Sequence, residues 1–218
     1  MGFYYLVEGA KVSRLSCHKP AAVKLKESFY QRSRVDNIAR DLLGKVLVSR
    51  FNNMLTSGVI VETEAYSYKE KGCHAYNNLR TARTETMFDQ GGTMYVYLCY
   101  GIHNMFNVVT NKKDKAEAVL IRALEPLEGM DVMMKRASVK NIHRITSGPG
   151  KLAKALGIDR TWDGELLTGD DVWVEDSGTK IASNKIVATS RVGIDYAGDD
   201  ALLPWRFYLK DNPWISRP

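Results

Sequence analysis

The chain of 218 residues, 44% of them hydrophobic, fits one large domain with one core. It has no run of about 18 apolar residues that could span a membrane, and Met1-Gly2-Phe3-Tyr4-Tyr5-Leu6-Val7 lacks a basic lead and is cut short by Glu8, which argues against secretion. The formal charge of +6 points to a polyanionic partner or to scattered solvated lysines.

The charge is uneven. Residues 1–58 hold ten Lys/Arg against four Asp/Glu and 111–160 hold eleven against six, whereas 161–218 hold six against ten. Two basic segments could form one patch. The cysteines Cys17, Cys73 and Cys99 are odd in number and form no C-x-x-C pair. That spacing fits neither a disulfide framework nor a zinc site, despite the adjacent Cys17-His18 and Cys73-His74, and it suits a reducing compartment.

Residues 1–22 show no clear period and are expected to form an N-terminal extension to a domain spanning 23–218. From Phe29 the pattern sharpens: Asp36 can cap a helix with Ile38, Ala39, Leu42 and Leu43 on one stripe, ended by Gly44. A strand from Lys45 to Arg50, a turn at Asn52-Asn53 and a strand from Val59 to Tyr66 read as a hairpin. Residues 67–93 form a polar connection longer than usual, of the kind that carries function or moves.

Met94 to Asn107 reads as two short strands reversing near Gly101, with Tyr100 at an exposed tip. In the strand Ala118 to Leu124, Arg122 stands among apolar residues and calls for an anionic or hydrogen-bonding partner. Pro126 suits the first turn of a helix reaching Ala137. Ser147 can cap a second helix with Pro149 in its first turn and Gly157 at its end, where Lys151 and the free amides make an ordinary helix start or a phosphate site. Strands at Val172–Glu175, Lys185–Val192 and Trp205–Leu209 complete an α+β chain.

Alternation along Val59–Tyr66 puts Ile60, Glu62, Glu64 and Tyr66 on one face. Such a face is either solvated or a site. An exposed aromatic at a hairpin tip resembles the wedges inserted between stacked bases, and rings, carboxylates and basic segments together are what an enzyme acting on a flipped base needs.

The strings Val61-Glu62-Thr63-Glu64-Ala65-Tyr66, Tyr95-Val96-Tyr97-Leu98-Cys99-Tyr100-Gly101, Leu120 to Gly129 and Ser147-Gly148-Pro149-Gly150-Lys151-Leu152 resemble the alkyladenine (3-methyladenine) DNA glycosylase family. Asp41 to Val48 and Arg206-Phe207-Tyr208 extend the likeness to roughly residues 26–216. The resemblance implies a single mixed α+β domain, a curved antiparallel sheet with a protruding β-hairpin and surrounding helices. It also implies a monofunctional enzyme, monomeric, without metal or other cofactor, acting on damaged purines in double-stranded DNA. That places it in bacterial cytoplasm or a eukaryotic nucleus.

By position, Glu64 matches the family's general base and Arg122 an arginine at the flipped nucleotide's backbone. Tyr66, His74 and Tyr97 match residues enclosing the base, Asn107 the group rejecting guanine's amino substituent, and Tyr100 the intercalating plug. Thr81, Arg83, Lys151, Ile102 and His103 fall at DNA-facing positions. His103 departs from the pattern, which has an aromatic there, and no residue stands out as an acid for a neutral leaving base. A non-catalytic binder of damaged or structured nucleic acid would keep Tyr100 and the basic segments without requiring Glu64.

Overall fold

A computed structural model describes residues 22–139 and 141–217, the His143 side chain apart; the expected extension lies, but for residue 22, outside them. The described part is one α+β domain: an open, nine-stranded antiparallel sheet with helices on one face. Strands β1 (Val23–Lys24), β2 (Val46–Phe51), β3 (Met54–Ser67), β4 (Met94–Cys99), β5 (His103–Thr110), β6 (Glu117–Glu128) and β7 (Val172–Asp176) run in the order β1-β7-β2-β3-β6-β5-β4. The last two, β8 (Ile186–Thr189) and β9 (Arg206–Leu209), pair with each other. β9 also takes the edge of β3 at Glu62–Glu64, just beyond the β2 ladder. Helices α1 (Glu27–Tyr30), α2 (Val35–Asp41), α3 (Met130–Ala137) and α4 (Pro149–Leu156) complete the set.

Asn52 and Asn53, both at positive φ, turn β2 into β3 as a two-residue hairpin. The first helix boundary differs from the expected one. Arg34 precedes α2 in a left-handed conformation, and Asp36 lies inside the first turn, where it accepts from Arg34 at 2.8 Å and faces the positive end of the helix. Likewise Gly148, not Ser147, precedes α4, although Pro149 opens that helix and Gly157 ends it at φ 74°. Pro126 starts no helix: β6 runs through it to Glu128. It is tolerated because β5 has left β6 by Leu120 and only β3 pairs with β6 at that level.

The sheet divides the chain's side chains by alternation. Met94, Val96, Phe106, Val108, Val119, Ile121 and Ala65 point into the main core beneath α2 and α4, where Thr63 also donates to the Ala39 carbonyl at 2.8 Å. Their neighbours in sequence point the other way. There the long connection 68–93 packs Cys73, Ala75, Met87 and Phe88 against Tyr95, Val109 and Ala118. That connection is a packed cover built on two short 3-10 turns, Tyr76–Asn78 and Glu85–Phe88. Among the described residues no helix is long and apolar enough to cross a membrane, and Cys73 and Cys99 are free thiols.

Candidate active site

Pairing carries one row of side chains across four strands. Glu64 on β3 lies opposite Leu120 on β6, Leu120 opposite Asn107 on β5, and Asn107 opposite Tyr95 on β4. Directly opposite residues share a face, so the row points away from the main core. The next rows add Tyr66 with Ala118, and Tyr97 with Met105. These side chains, the connection 68–93 and residues 192–196 enclose a cavity of about 640 Å³.

Two sheet irregularities set its charged end. Between Ile60 and Glu62 the register slips at Val61, and opposite, the pairing skips Arg122 on β6. A bulged residue leaves the ladder and is re-aimed, and Arg122 turns to the β3 carboxylates: its Nε donates to Glu62 Oε1 and its Nη1 to Glu64 Oε2, both at 3.1 Å. The slip corrects the expected face. Ile60 packs in the main core, Val61 packs with Ala123 and Trp214, and only Glu62, Glu64 and Tyr66 remain on the site side.

Glu62 is a structural hub. It accepts from Arg122, from Arg206 at 2.8 Å and from the Ser216 amide and hydroxyl at 2.6 and 2.9 Å. Arg206 also donates to the Arg217 carbonyl. Two buried carboxylates thus face two buried guanidiniums, the pairing that makes interior charges tolerable. Although burial alone pulls Arg122 down, Glu64 and Glu62 hold its pKa above the ordinary arginine value.

Glu64 is wholly buried, and its carboxylate is held from three sides. Tyr66 Oη donates at 2.8 Å, Arg122 at 3.1 Å and the Val192 backbone amide at 2.7 Å. Tyr66, Arg122 and Val192 all line the cavity. Burial and the adjacent Glu64 push the Tyr66 phenol well above its usual pKa, so it stays a donor.

The opposite wall is aromatic. The His74 ring lies edge-on to Tyr97 with centroids 4.7 Å apart, and Tyr97 lies 5.3 Å from Tyr95. Arg83 Nη2 sits 3.2 Å from His74 Nε2, and Tyr95 Oη 3.1 Å from His74 Nδ1. Arginine can only donate, so Nε2 is the acceptor and the proton resides on Nδ1, directed at Tyr95. Burial, aided by the Arg83 charge, lowers the His74 pKa to about 4. Asn107 spends both amide hydrogens on the Tyr95 and Met105 carbonyls, each at 3.1 Å, which fixes its rotamer.

Tyr100, 90% exposed, stands at the tip between β4 and β5 and reaches the cavity rim. Tyr100 and Gly101 both take positive φ, 50° and 72°; for tyrosine that is uncommon and strained. Ile102 is exposed beside it, and His103 packs against Gly150 at the start of α4. The cavity therefore gathers Tyr66, His74, Tyr97, Asn107, Arg122, Arg83 and Tyr100, with Glu64 behind it. Ile102, His103, Thr81 and Lys151 lie outside its lining.

The sequence reading missed the segment after β8. Arg191 is buried, makes a two-pronged ion pair with Glu70 at 2.7 Å, donates to the Ala65 carbonyl and lies over the Tyr66 ring at 4.7 Å. It anchors the backbone that presents Val192. The expected strand Lys185–Val192 ends at Thr189, and a lone arginine read as part of a strand carries no signal of this anchoring role; only tertiary contact reveals it.

The Methylpurine-DNA glycosylase family model matches residues 28–213. Relatives provisionally named 3-methyladenine DNA glycosylase agree along almost their whole length. The one from Natranaerobius thermophilus is 44% identical over 198 residues, covering 89% of this chain and 99% of the relative. That from Methanocella arvoryzae is 46% identical over 196 residues, covering 88% and 96%. That from Carboxydothermus hydrogenoformans is 46% identical over 193 residues, covering 88% and 98%. On these matches the chain belongs to the methylpurine-DNA glycosylase family.

Proposed function

We propose that the protein flips a damaged purine out of duplex DNA into the aromatic cavity and hydrolyses its N-glycosidic bond, leaving an abasic site. The substrates are alkylated or deaminated purines: 3-methyladenine, 7-methylguanine, hypoxanthine and ethenoadenine. Family membership supports the reaction class. The observation that carries the mechanism is the Glu64 carboxylate, held by Tyr66, Arg122 and Val192 at the edge of a cavity of purine-accommodating size.

Glycosidic cleavage passes through an oxocarbenium-like sugar, for which a fixed carboxylate serves twice. It takes the proton of the attacking water and faces the positive charge developing on the anomeric carbon. The three donors cost no reorganisation, because they are set before substrate arrives. Flipping costs a few kcal/mol, least for a damaged or mispaired base, and Tyr100 offsets it by filling the stack. Tyr66, Tyr97 and His74 then enclose the base by contacts worth roughly 1 to 3 kcal/mol each. Such contacts read no single edge closely, which supports a broad range, while Asn107, braced by two carbonyls, leaves no room for guanine's 2-amino group.

Glu64→Gln keeps the volume and removes the base. Release of hypoxanthine or 7-methylguanine in single turnover should fall by at least about 100-fold, with lesion-duplex affinity kept. Turnover at the wild-type rate would take the base role from Glu64.

A further inference from the structure

The cavity wall carries a charge that the proposed chemistry does not use. Among the described residues no aspartate or glutamate lines the cavity, whereas Arg83, Arg122 and Arg217 do. Arg122 is committed to Glu62 and Glu64. Arg83 has no acidic partner among the described residues: one N–H goes to His74 Nε2 at 3.2 Å, and the guanidinium lies 5.3 Å from the Tyr97 ring centroid. A guanidinium has five donors, so most remain available beside the two side chains that would flank a flipped base. His74, accepting from Arg83, is neutral and brings no second charge.

We infer that Arg83 is a specificity-determining residue that biases the enzyme toward neutral, deaminated oxopurines and against cationic alkylpurines. This rests on the glycosylase reading above. When the bond between the anomeric carbon and N9 breaks, its electron pair leaves with the base. A neutral oxopurine departs as an anion with charge on its carbonyl oxygen, whereas a cationic alkylpurine departs neutral. Water adds to the sugar and loses a proton to Glu64, which returns it to solvent, and the purine anion takes a proton from solvent. Arg83 is itself exposed at the cavity's rim, where a guanidinium on the base's side stabilises the departing anion by charge-assisted hydrogen bonding and repels a base that enters as a cation. It thereby supplies electrostatically what a missing acid would supply by protonation.

The test is single-turnover release at subsaturating enzyme from matched duplexes carrying hypoxanthine or 7-methylguanine, for wild type, Arg83→Met and Arg83→Lys. Arg83→Met should lower hypoxanthine release at least about tenfold more than 7-methylguanine release, the loss of roughly one charge-assisted hydrogen bond. Arg83→Lys, which keeps the charge, should restore the ratio toward wild type. Equal losses on both lesions, with the salt slope of binding reduced by about one, would make Arg83 a phosphate contact and overturn the inference. An unchanged ratio, or a lysine variant behaving like methionine, would overturn it too. These outcomes leave the glycosylase reading standing; only a wild type that releases neither base would remove both.

Discussion

His74 shows how much one hydrogen bond decides. With Nε2 accepting from Arg83, the ring is a fixed neutral tautomer in an aromatic wall, and burial first, then the Arg83 charge, brings its pKa down to about 4. The folded value lies below that of the unfolded chain, so protons favour unfolding. This contribution to stability is complete above about pH 6.5 and is lost as the pH falls toward 4. NMR titration of the His74 ring should give a midpoint near 4, and Arg83→Gln should move it upward. A wild-type midpoint near 6.5 would mean that the ring is solvated. At this scale the sequence was informative for residues inside the motif strings, Tyr66 and Tyr97, and for His74 and Asn107, which the family resemblance placed by position between those strings: all four meet in one cavity. It was silent on Val192, whose contribution is a backbone amide that any residue could donate.

Among the elements, the paired irregularities of β3 and β6 do most to build the site, and they explain why the predicted face was partly wrong. Strict alternation assumes an unbroken ladder; the slip at Val61 moves Ile60 to the core side and frees Arg122 to reach two carboxylates. No local pattern announces a bulge, because Val61 suits a regular strand equally well. The hairpin tip at Tyr100-Gly101 and the two-residue turn at Asn52-Asn53 were legible, since both depend on residues that tolerate positive φ or flank one that does.

The segment after β8 has its own anchor in Glu70 and Arg191, both buried. Glu70→Ala would strand a buried guanidinium, costing about 3 to 5 kcal/mol and lowering Tm by roughly 6 to 20 °C for a chain of this size. Glu70→Ala with Arg191→Met should recover part of that loss in thermal melts; a double variant as unstable as the sum of the single ones would show that the two residues are not coupled.

For the whole molecule, charge and topology were readable to different depths. The basic excess in 111–160 acquires a location: Arg144, Lys151 and Lys154 surround a hollow of about 330 Å³ beside α4, whose first residue, Pro149, also lines the larger cavity. If the duplex crosses α4 there, these three cations set a slope of log affinity against log salt of about −3, and Lys151→Gln should reduce it by about one. Titrating a fluorescent lesion duplex at several salt concentrations measures both, and a flat salt response would place the DNA elsewhere. Strand order was not legible, because β9 reaches β3 and β7 reaches β2 across most of the sequence, and long-range pairing leaves no trace in local composition.

The inner strands are written in two interleaved registers. Positions 94, 96, 106, 108, 119 and 121 serve the core, and 95, 97, 105, 107, 118 and 120 serve the cavity. The cavity lining can therefore be altered by substitution at these alternate positions while the main core beneath α2 and α4 stays untouched, with Tyr95 and Ala118 tied in addition to the 68–93 cover. A single inserted or deleted residue within one of these strands would exchange the two roles at once. Lineages of this fold should accordingly diverge by point replacement in β4 to β6 and confine changes of length to the turns.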